Sequence, residues 1–239
     1  MNSRNATARL AGLLYLIAAI LMILSYMYFP TLFAGDASTT AKKIAESESL
    51  YRLSILVSFT SQILFLFVVL TLYKLFREVD GHLARMMLLL VSVGVAAEVV
   101  NIAGHMSHLL LGRNADYIAA FTPAQRDALA DGEIVLGNNL GRFLTAFWGL
   151  WLVPFGLVTI KSRFVPRILG FLLLAAGLGY VLTCVAYIVA PDQLPTVSKI
   201  ASPLYFGEVP IILWLLFMGV KAPEPITGRT PSSSATAST

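Results

Sequence analysis

Glu98, Asn101, His105 and His108 lie in one apolar stretch, Met86–Leu111. On a helix of ~3.6 residues per turn they fall within roughly 80° of one another. A carboxyl, an amide and two imidazoles on one stripe can do acid–base chemistry, coordinate a metal ion or hydrogen-bond a polar ligand. A stretch this long and apolar is a transmembrane candidate, and ionisable groups inside one are costly unless they face protein or water. The stripe therefore reads as the polar seam of a membrane bundle.

Other apolar stretches add polar groups at a similar depth. Ser54, Ser58, Ser61 and Gln62 share an arc of about 100° in the second. The fourth begins with Asn138, Asn139, Arg142 and Thr145, and the sixth places Tyr205 and Glu208 ahead of Pro210. With the orientation derived below, all of these belong to the outer half, whereas the cytoplasmic halves are almost uniformly apolar. The pattern predicts a polar cavity open to the outside and sealed below. Its candidate lining is Gln62, Glu98, Asn101, His105, His108, Asn138, Arg142, Tyr205 and Glu208. The same groups also admit a packing reading. Arg142 and Glu208 can pair across two helices, with the asparagines and histidines bridging others and Gly137-x-x-x-Gly141 allowing close approach. Arg142 is also near enough to the outer boundary to reach headgroups.

The sharpest chemical alternative is a metal site. His105 and His108 are three apart and can converge, with Glu98 or Glu208 as a carboxylate ligand. Catalytic zinc commonly takes three N or O ligands and an open position. No His-Glu-x-x-His occurs, and spacing supplies no further ligand, so no tightly bound metal and no cofactor is expected. No nucleophile elbow surrounds the serines, and neither a phosphate-cradling glycine loop nor a dinucleotide fingerprint is present. Three functions stay open. One is binding or sensing of a small or amphipathic ligand in the outer cavity. The second is a membrane-embedded hydrolase using Glu98, His105 and His108, and the third a small transporter acting as a homodimer.

The elements that position these residues follow from composition. The chain of 239 residues is 57% hydrophobic and 13% charged, with a mean hydropathy of +0.78. A soluble domain carries about 25% charged residues. Runs of roughly 20 apolar residues, enough to cross ~30 Å of hydrocarbon, occur at Leu10–Phe29, Leu50–Tyr73, Met86–Leu111, Ile134–Ile160, Ile168–Ala190 and Ser202–Val220. The expected fold is an all-α, six-span bundle over residues 1–221, followed by a disordered Pro-, Ser- and Thr-rich tail over 222–239. The first run is read as a retained span, since its core is long for a signal peptide and no clean Ala-x-Ala site follows.

Pro30, Pro166 and Pro191 are expected to mark helix ends, and Pro154 and Pro210 to kink their spans. Ser38 or Thr39 is expected to cap a short helix through Ala41–Ser49. Thr122-Pro123 is expected to start another that runs to about Ala130.

Orientation comes from lysine and arginine. One side holds Arg4, Arg9, Lys74, Arg77, Arg85, Lys161, Arg163, Arg167, Lys221 and Arg229. The other holds Lys42, Lys43, Arg52, Arg113, Arg126 and Lys199. Ten against six places both termini in the cytoplasm. Arg9 and Arg167 are expected to reach inner-leaflet headgroups. The excess of +4 is thus a topological signal, and with no soluble basic face it gives no reason to expect nucleic acid. The expected partners are membrane lipids and the ligand. The single cysteine, Cys184, excludes an internal disulfide.

Several segments together resemble the bacterial membrane family called domain of unknown function 4386. They are Thr7-Ala8-Arg9-Leu10-Ala11-Gly12-Leu13-Leu14-Tyr15-Leu16, Ser47-Glu48-Ser49-Leu50-Tyr51-Arg52 and Phe147-Trp148-Gly149-Leu150-Trp151. Phe164-Val165-Pro166-Arg167-Ile168-Leu169-Gly170 and Gly207-Glu208 leading to Leu213-Trp214-Leu215-Leu216 complete the set. The resemblance implies a multi-span protein of the bacterial plasma membrane and supplies no activity, cofactor or substrate.

Overall fold

A computed structural model describes residues 3–35, 37–112 and 120–220. Among them all regular structure is helical, and six helices are long and apolar enough to cross a membrane. They are Ser3–Phe33, Glu48–Phe76, Gly81–Ser107, Ala124–Ser162, Arg167–Val189 and Pro191–Met218, here the first to sixth spans. The third continues as helix to Gly112. Arg113, Lys221 and the tail expected at 222–239 lie outside the described residues.

Each expected run coincides largely with one span, but every helix begins before its run, and the fifth and sixth end short of theirs, at Val189 and Met218, for reasons that lie in local chemistry. Pro30 does not end the first span. The helix widens into a π turn over Leu24–Tyr28, and the Phe29 N–H reaches back five residues to the Leu24 carbonyl. That shift makes room for the proline ring, which in a regular helix would clash with the carbonyl four residues earlier. The helix at Thr122 does not stop near Ala130 either. Thr122 and Gln125 form a reciprocal capping box, with Gln125 N–H to Thr122 Oγ1 at 3.3 Å and Thr122 N–H to Gln125 Oε1 at 2.9 Å. From there the helix runs unbroken over Pro123–Leu150, because no proline interrupts 124–150. The short helix before the second span covers Ala37–Glu46 rather than Ala41–Ser49, and Ser47 separates it from the span.

Pro154 acts as expected. The fourth span breaks at Trp151, whose N–H is shared between the Phe147 and Gly149 carbonyls, and resumes over Leu152–Ser162. The sixth span ends in a second π turn, Trp214–Met218, closed by the Gly219 N–H on the Trp214 carbonyl. The last carbonyls of that helix have no intrahelical donor. Arg9 supplies one, with Nη2 3.4 Å from the Phe217 oxygen. Asn5 Oδ1 then accepts the Val220 N–H at 3.2 Å. Arg9 thus reaches the end of the sixth span while its side chain stays exposed.

Successive spans pack side by side, and the sixth packs on the first, closing the ring. The N-terminal end gathers the start of the first span, the turns at 77–80 and 163–166, and the end of the sixth. The opposite end is the loop end. The core lies toward the N-terminal end. Trp151 stacks on Phe155 at 5.2 Å and meets Phe65 edge-on at 5.3 Å. Val68, Leu72, Phe76, Met87 and Val158 around them are fully buried.

The fourth and fifth spans approach each other closely at two pairs of glycines. A Cβ on Gly149 would meet the Gly177 carbonyl oxygen at 2.6 Å, and one on Gly156 would meet the Gly170 oxygen at 2.8 Å. The expected contact at Gly137-x-x-x-Gly141 is not a helix crossing. Nothing lies within 4 Å of a Cβ on Gly141, and Gly137 faces only the Asn101 side chain.

At the N-terminal end Asp80 caps the third span. Its Oδ1 accepts the His82 and Leu83 N–H groups at 3.1 Å, and Oδ2 accepts from Lys161 Nζ at 2.8 Å.

Two predictions follow from this packing. Gly149→Ala and Gly177→Ala should each destabilise the protein by about 1–3 kcal/mol through overpacking. Gly141→Ala should be neutral or gain up to about 1 kcal/mol from helix propensity. Unfolding in detergent checks the ranking, and equal effects at 141 and 149 would contradict the crossing. For Asp80, the Lys161 ammonium and then the Leu83 amide hold the carboxyl below its usual range. Its stabilisation is present above the unfolded pKa of ~3.9 and is lost as pH falls through the lower folded value. Asp80→Asn should lower Tm at neutral pH, and the deficit should fade in acid. A deficit independent of pH would show that the ion pair contributes nothing.

Candidate functional site

Glu98 is the most buried acidic side chain of the spans, 3% exposed on the third. Asn101 follows one turn later, and its Nδ2 donates to Glu98 Oε1 at 3.3 Å. The Tyr26 hydroxyl approaches the same carboxyl from the first span. Tyr26 sits inside the π turn that precedes Pro30, its ring at the bundle surface and its hydroxyl reaching inward. Gln62, on the second span, is fully buried and its Nε2 donates to the Tyr26 hydroxyl at 3.0 Å. Gln62 Oε1 has no hydrogen-bond partner among the described residues. The fourth span closes the group, since Gly137 leaves room for the Asn101 side chain.

Ser54, Ser58 and Ser61 do not join this network through their hydroxyls. Each bonds back to its own helix, on the Tyr51, Ser54 and Ser58 carbonyls at 2.7, 2.9 and 2.7 Å. A serine in hydrocarbon satisfies itself most cheaply this way. The glutamine amide is too long to do so, and it reaches across.

Glu208 belongs to a second group. The expected sixth span began at Ser202, which put Glu208 just inside the outer boundary. The helix in fact starts at Pro191, so Glu208 lies about 25 Å along it and about 15 Å short of Met218 at 1.5 Å per residue. Tyr15 of the first span donates to Glu208 Oε2, and Tyr180 of the fifth approaches the same carboxyl. The Tyr15 ring is fixed edge-on against Phe65 at 5.7 Å and tilted on Trp151 at 6.1 Å. Tyr180 stacks flat on Tyr205 at 4.1 Å, and the Tyr205 hydroxyl lies 2.7 Å from Thr183 Oγ1.

Arg142 does not pair with Glu208. Its guanidinium lies over the Tyr187 ring, 5.0 Å from the centroid, and the Tyr187 hydroxyl donates to Asn139 Oδ1. The tyrosines meet the carboxyl, and the arginine is held about 30 Å from Ser162 along the fourth span.

The nine sequence candidates thus divide. Gln62, Glu98 and Asn101 come together, as do Tyr205 and Glu208 at another level. Tyr15 and Tyr26, which serve the two carboxyls, are about 16 Å apart along one helix. Arg142 lies at a third place, Asn138 and His105 are exposed, and the side chain of His108 lies outside the described residues. Among the described residues no three His, Cys, Asp or Glu side chains converge. Two shallow hollows, of about 230 and 280 Å³, are lined by Leu32, Phe33 and Lys43 in one case and Phe121 and Leu129 in the other.

Sequence reasoning missed Tyr15, Tyr26, Tyr180, Thr183 and Tyr187. A signal existed, because tyrosine favours the membrane interface and Tyr15 and Tyr180 lie well inside their spans.

The Tyr15–Glu208 contact is testable. Across a Tyr15→Phe and Glu208→Gln double-mutant cycle, unfolding in detergent should show a coupling of about 1 kcal/mol. Strict additivity would mean that the contact carries no energy.

No curated protein and no solved structure matches the chain. The model for a domain of unknown function, DUF4386, matches residues 10–219, which takes in all six spans except the first seven residues of the first. With nearly its whole length covered, this multi-pass membrane protein belongs to the DUF4386 family.

Proposed function

We propose that the chain binds or senses a small or amphipathic molecule between the first, second and third spans, at Tyr26, Gln62, Glu98 and Asn101. One observation carries the reading. Gln62 is fully buried and leaves its Oε1 without a donor, beside a buried carboxyl. An unsatisfied buried acceptor costs roughly 1–3 kcal/mol, which a ligand N–H or O–H would recover on binding. The group is richer in acceptors than in donors, which favours a head group that donates, such as a protonated amine. The largely apolar core toward the N-terminal end gives such a ligand access from the loop end or from the bilayer.

For orientation, the turns and helix ends at the N-terminal end carry Lys74, Arg77, Arg85, Lys161, Arg163 and Arg167. That grouping supports cytoplasmic termini in a bacterial plasma membrane, with the binding group toward the outer side in this reading.

Hexylamine and hexanoate, two short amphipaths of opposite charge, test the reading. In detergent at neutral pH, hexylamine should raise Tm in a saturable way and hexanoate should not. Gln62→Leu should abolish the shift while the protein remains folded. Equal shifts from both probes, or a shift that survives Gln62→Leu, would contradict the assignment.

A further inference from the structure

The first span ends at Phe33, where the last carbonyls of a helix lack intrahelical donors. The short helix Ala37–Glu46 supplies them from beyond the turn. Thr40 Oγ1 donates to the Phe33 carbonyl at 3.0 Å, and Lys43 Nζ to the Ala34 carbonyl at 2.6 Å. Ile44 of that helix is buried with Phe33, Tyr51 and Leu109 in a small apolar cluster, in which the Phe33 and Tyr51 rings meet edge-on at 5.0 Å. The first three spans thus hold the short helix in place. Between it and the start of the second span lies the hollow of about 230 Å³, lined by Leu32, Phe33, Lys43, Glu46, Ser47 and Leu50.

Helix length sets its depth. Phe33 lies about 36 Å from Arg9 along the first span, and Leu50 about 39 Å from Phe76 along the second. Both distances exceed the ~30 Å of hydrocarbon and fall short of the ~40–45 Å that includes the headgroup layers. The hollow therefore sits at headgroup level in the leaflet at the loop end. Below it, Leu53 and Leu56 on the second span and Ile23 and Met27 on the first are exposed. Apolar surface suited to acyl chains begins where the polar wall stops.

That wall carries both signs of charge. Lys43 and Glu46 are three apart on one helix and so share a face. An ammonium has three donors, and the Ala34 carbonyl takes one of those on Lys43, which leaves two. Glu46 meets Lys42 at 3.9 Å with both side chains exposed, a weak pairing that leaves its carboxylate able to accept. We propose that the hollow binds the headgroup of an aminophospholipid, with the phosphate on Lys43 and the ammonium on Glu46. Its volume lies below the ~300–1,000 Å³ of pockets for drug-sized ligands, as a headgroup requires. The site is separate from the group at Glu98 and does not rest on it.

Native mass spectrometry of the full chain in detergent tests this. The parent should hold dioleoylphosphatidylethanolamine more tightly than dioleoylphosphatidylglycerol, which lacks the ammonium, and than dioleoylglycerol, which lacks both charges. Lys43→Gln removes the charge but keeps a donor for the Ala34 carbonyl, so the turn survives. It should weaken both phospholipids about tenfold, the effect of one lost charge-assisted hydrogen bond. Glu46→Gln, at an exposed position, should weaken phosphatidylethanolamine about threefold and leave phosphatidylglycerol no weaker. The basic groups at the N-terminal end are intact in both variants, so their difference from the parent reads the hollow alone. Soluble glycerophosphoethanolamine, which has no chains, should not displace the lipid. Phosphatidylethanolamine held no more tightly than either competitor, a preference unchanged in both variants, or displacement by the soluble headgroup would overturn the proposal.

Discussion

Hydrocarbon offers a carboxyl group no partner, so Glu98 and Glu208 must each find hydrogen-bond donors within the protein. The first span answers both needs. Tyr15 donates to Glu208 and Tyr26 approaches Glu98, about 16 Å apart along one helix. Much else in the bundle follows from keeping that helix in place. Arg9 and Asn5 anchor its start to the end of the sixth span. Phe65 and Trp151 clamp the Tyr15 ring, and Gln62 steadies the Tyr26 hydroxyl.

The helix distortions serve the same end. Prolines inside spans remove a backbone donor and would strain a regular helix. Here the chain resolves Pro30 by a π turn that carries Tyr26, and Pro154 by a break at Trp151, the ring at the centre of the core. The side chains that matter most are placed by these irregular turns. Close glycine crossings between the fourth and fifth spans hold the opposite side of the bundle. In a membrane, where lipid tails compete equally for apolar surface, such close backbone packing replaces the hydrophobic drive of a soluble core.

The spans, their number and the family were legible in the sequence, because length and apolarity decide membrane crossing almost alone. The depth of Glu208 was not. The sixth run looked short because Pro191, Asp192, Gln193, Ser198 and Lys199 dilute its start, although the helix includes them. Nor could an apolar periodicity tell which partner a carboxyl would take. Opposite charge made Arg142 the obvious choice for Glu208, but a guanidinium near the boundary keeps contact with water over the Tyr187 ring. The deeper carboxyl is left to uncharged hydroxyls. The serine stripe of the second span misled for a related reason, since each hydroxyl is satisfied on its own helix. Glu98, Asn101 and Gln62 meet around the Tyr26 hydroxyl because a long amide or a buried carboxyl cannot satisfy itself in that way.

The central claim is that one helix serves two carboxyls at two depths. Cysteine cross-linking in native membranes, on a Cys184→Ser background, measures it most directly. With a short bifunctional thiol reagent, Tyr15→Cys should link to Glu208→Cys, and Tyr26→Cys should link to Glu98→Cys. The exchanged pairs, Tyr15→Cys with Glu98→Cys and Tyr26→Cys with Glu208→Cys, should not react. Linking in the exchanged pairs, or none in the matched ones, would contradict the account.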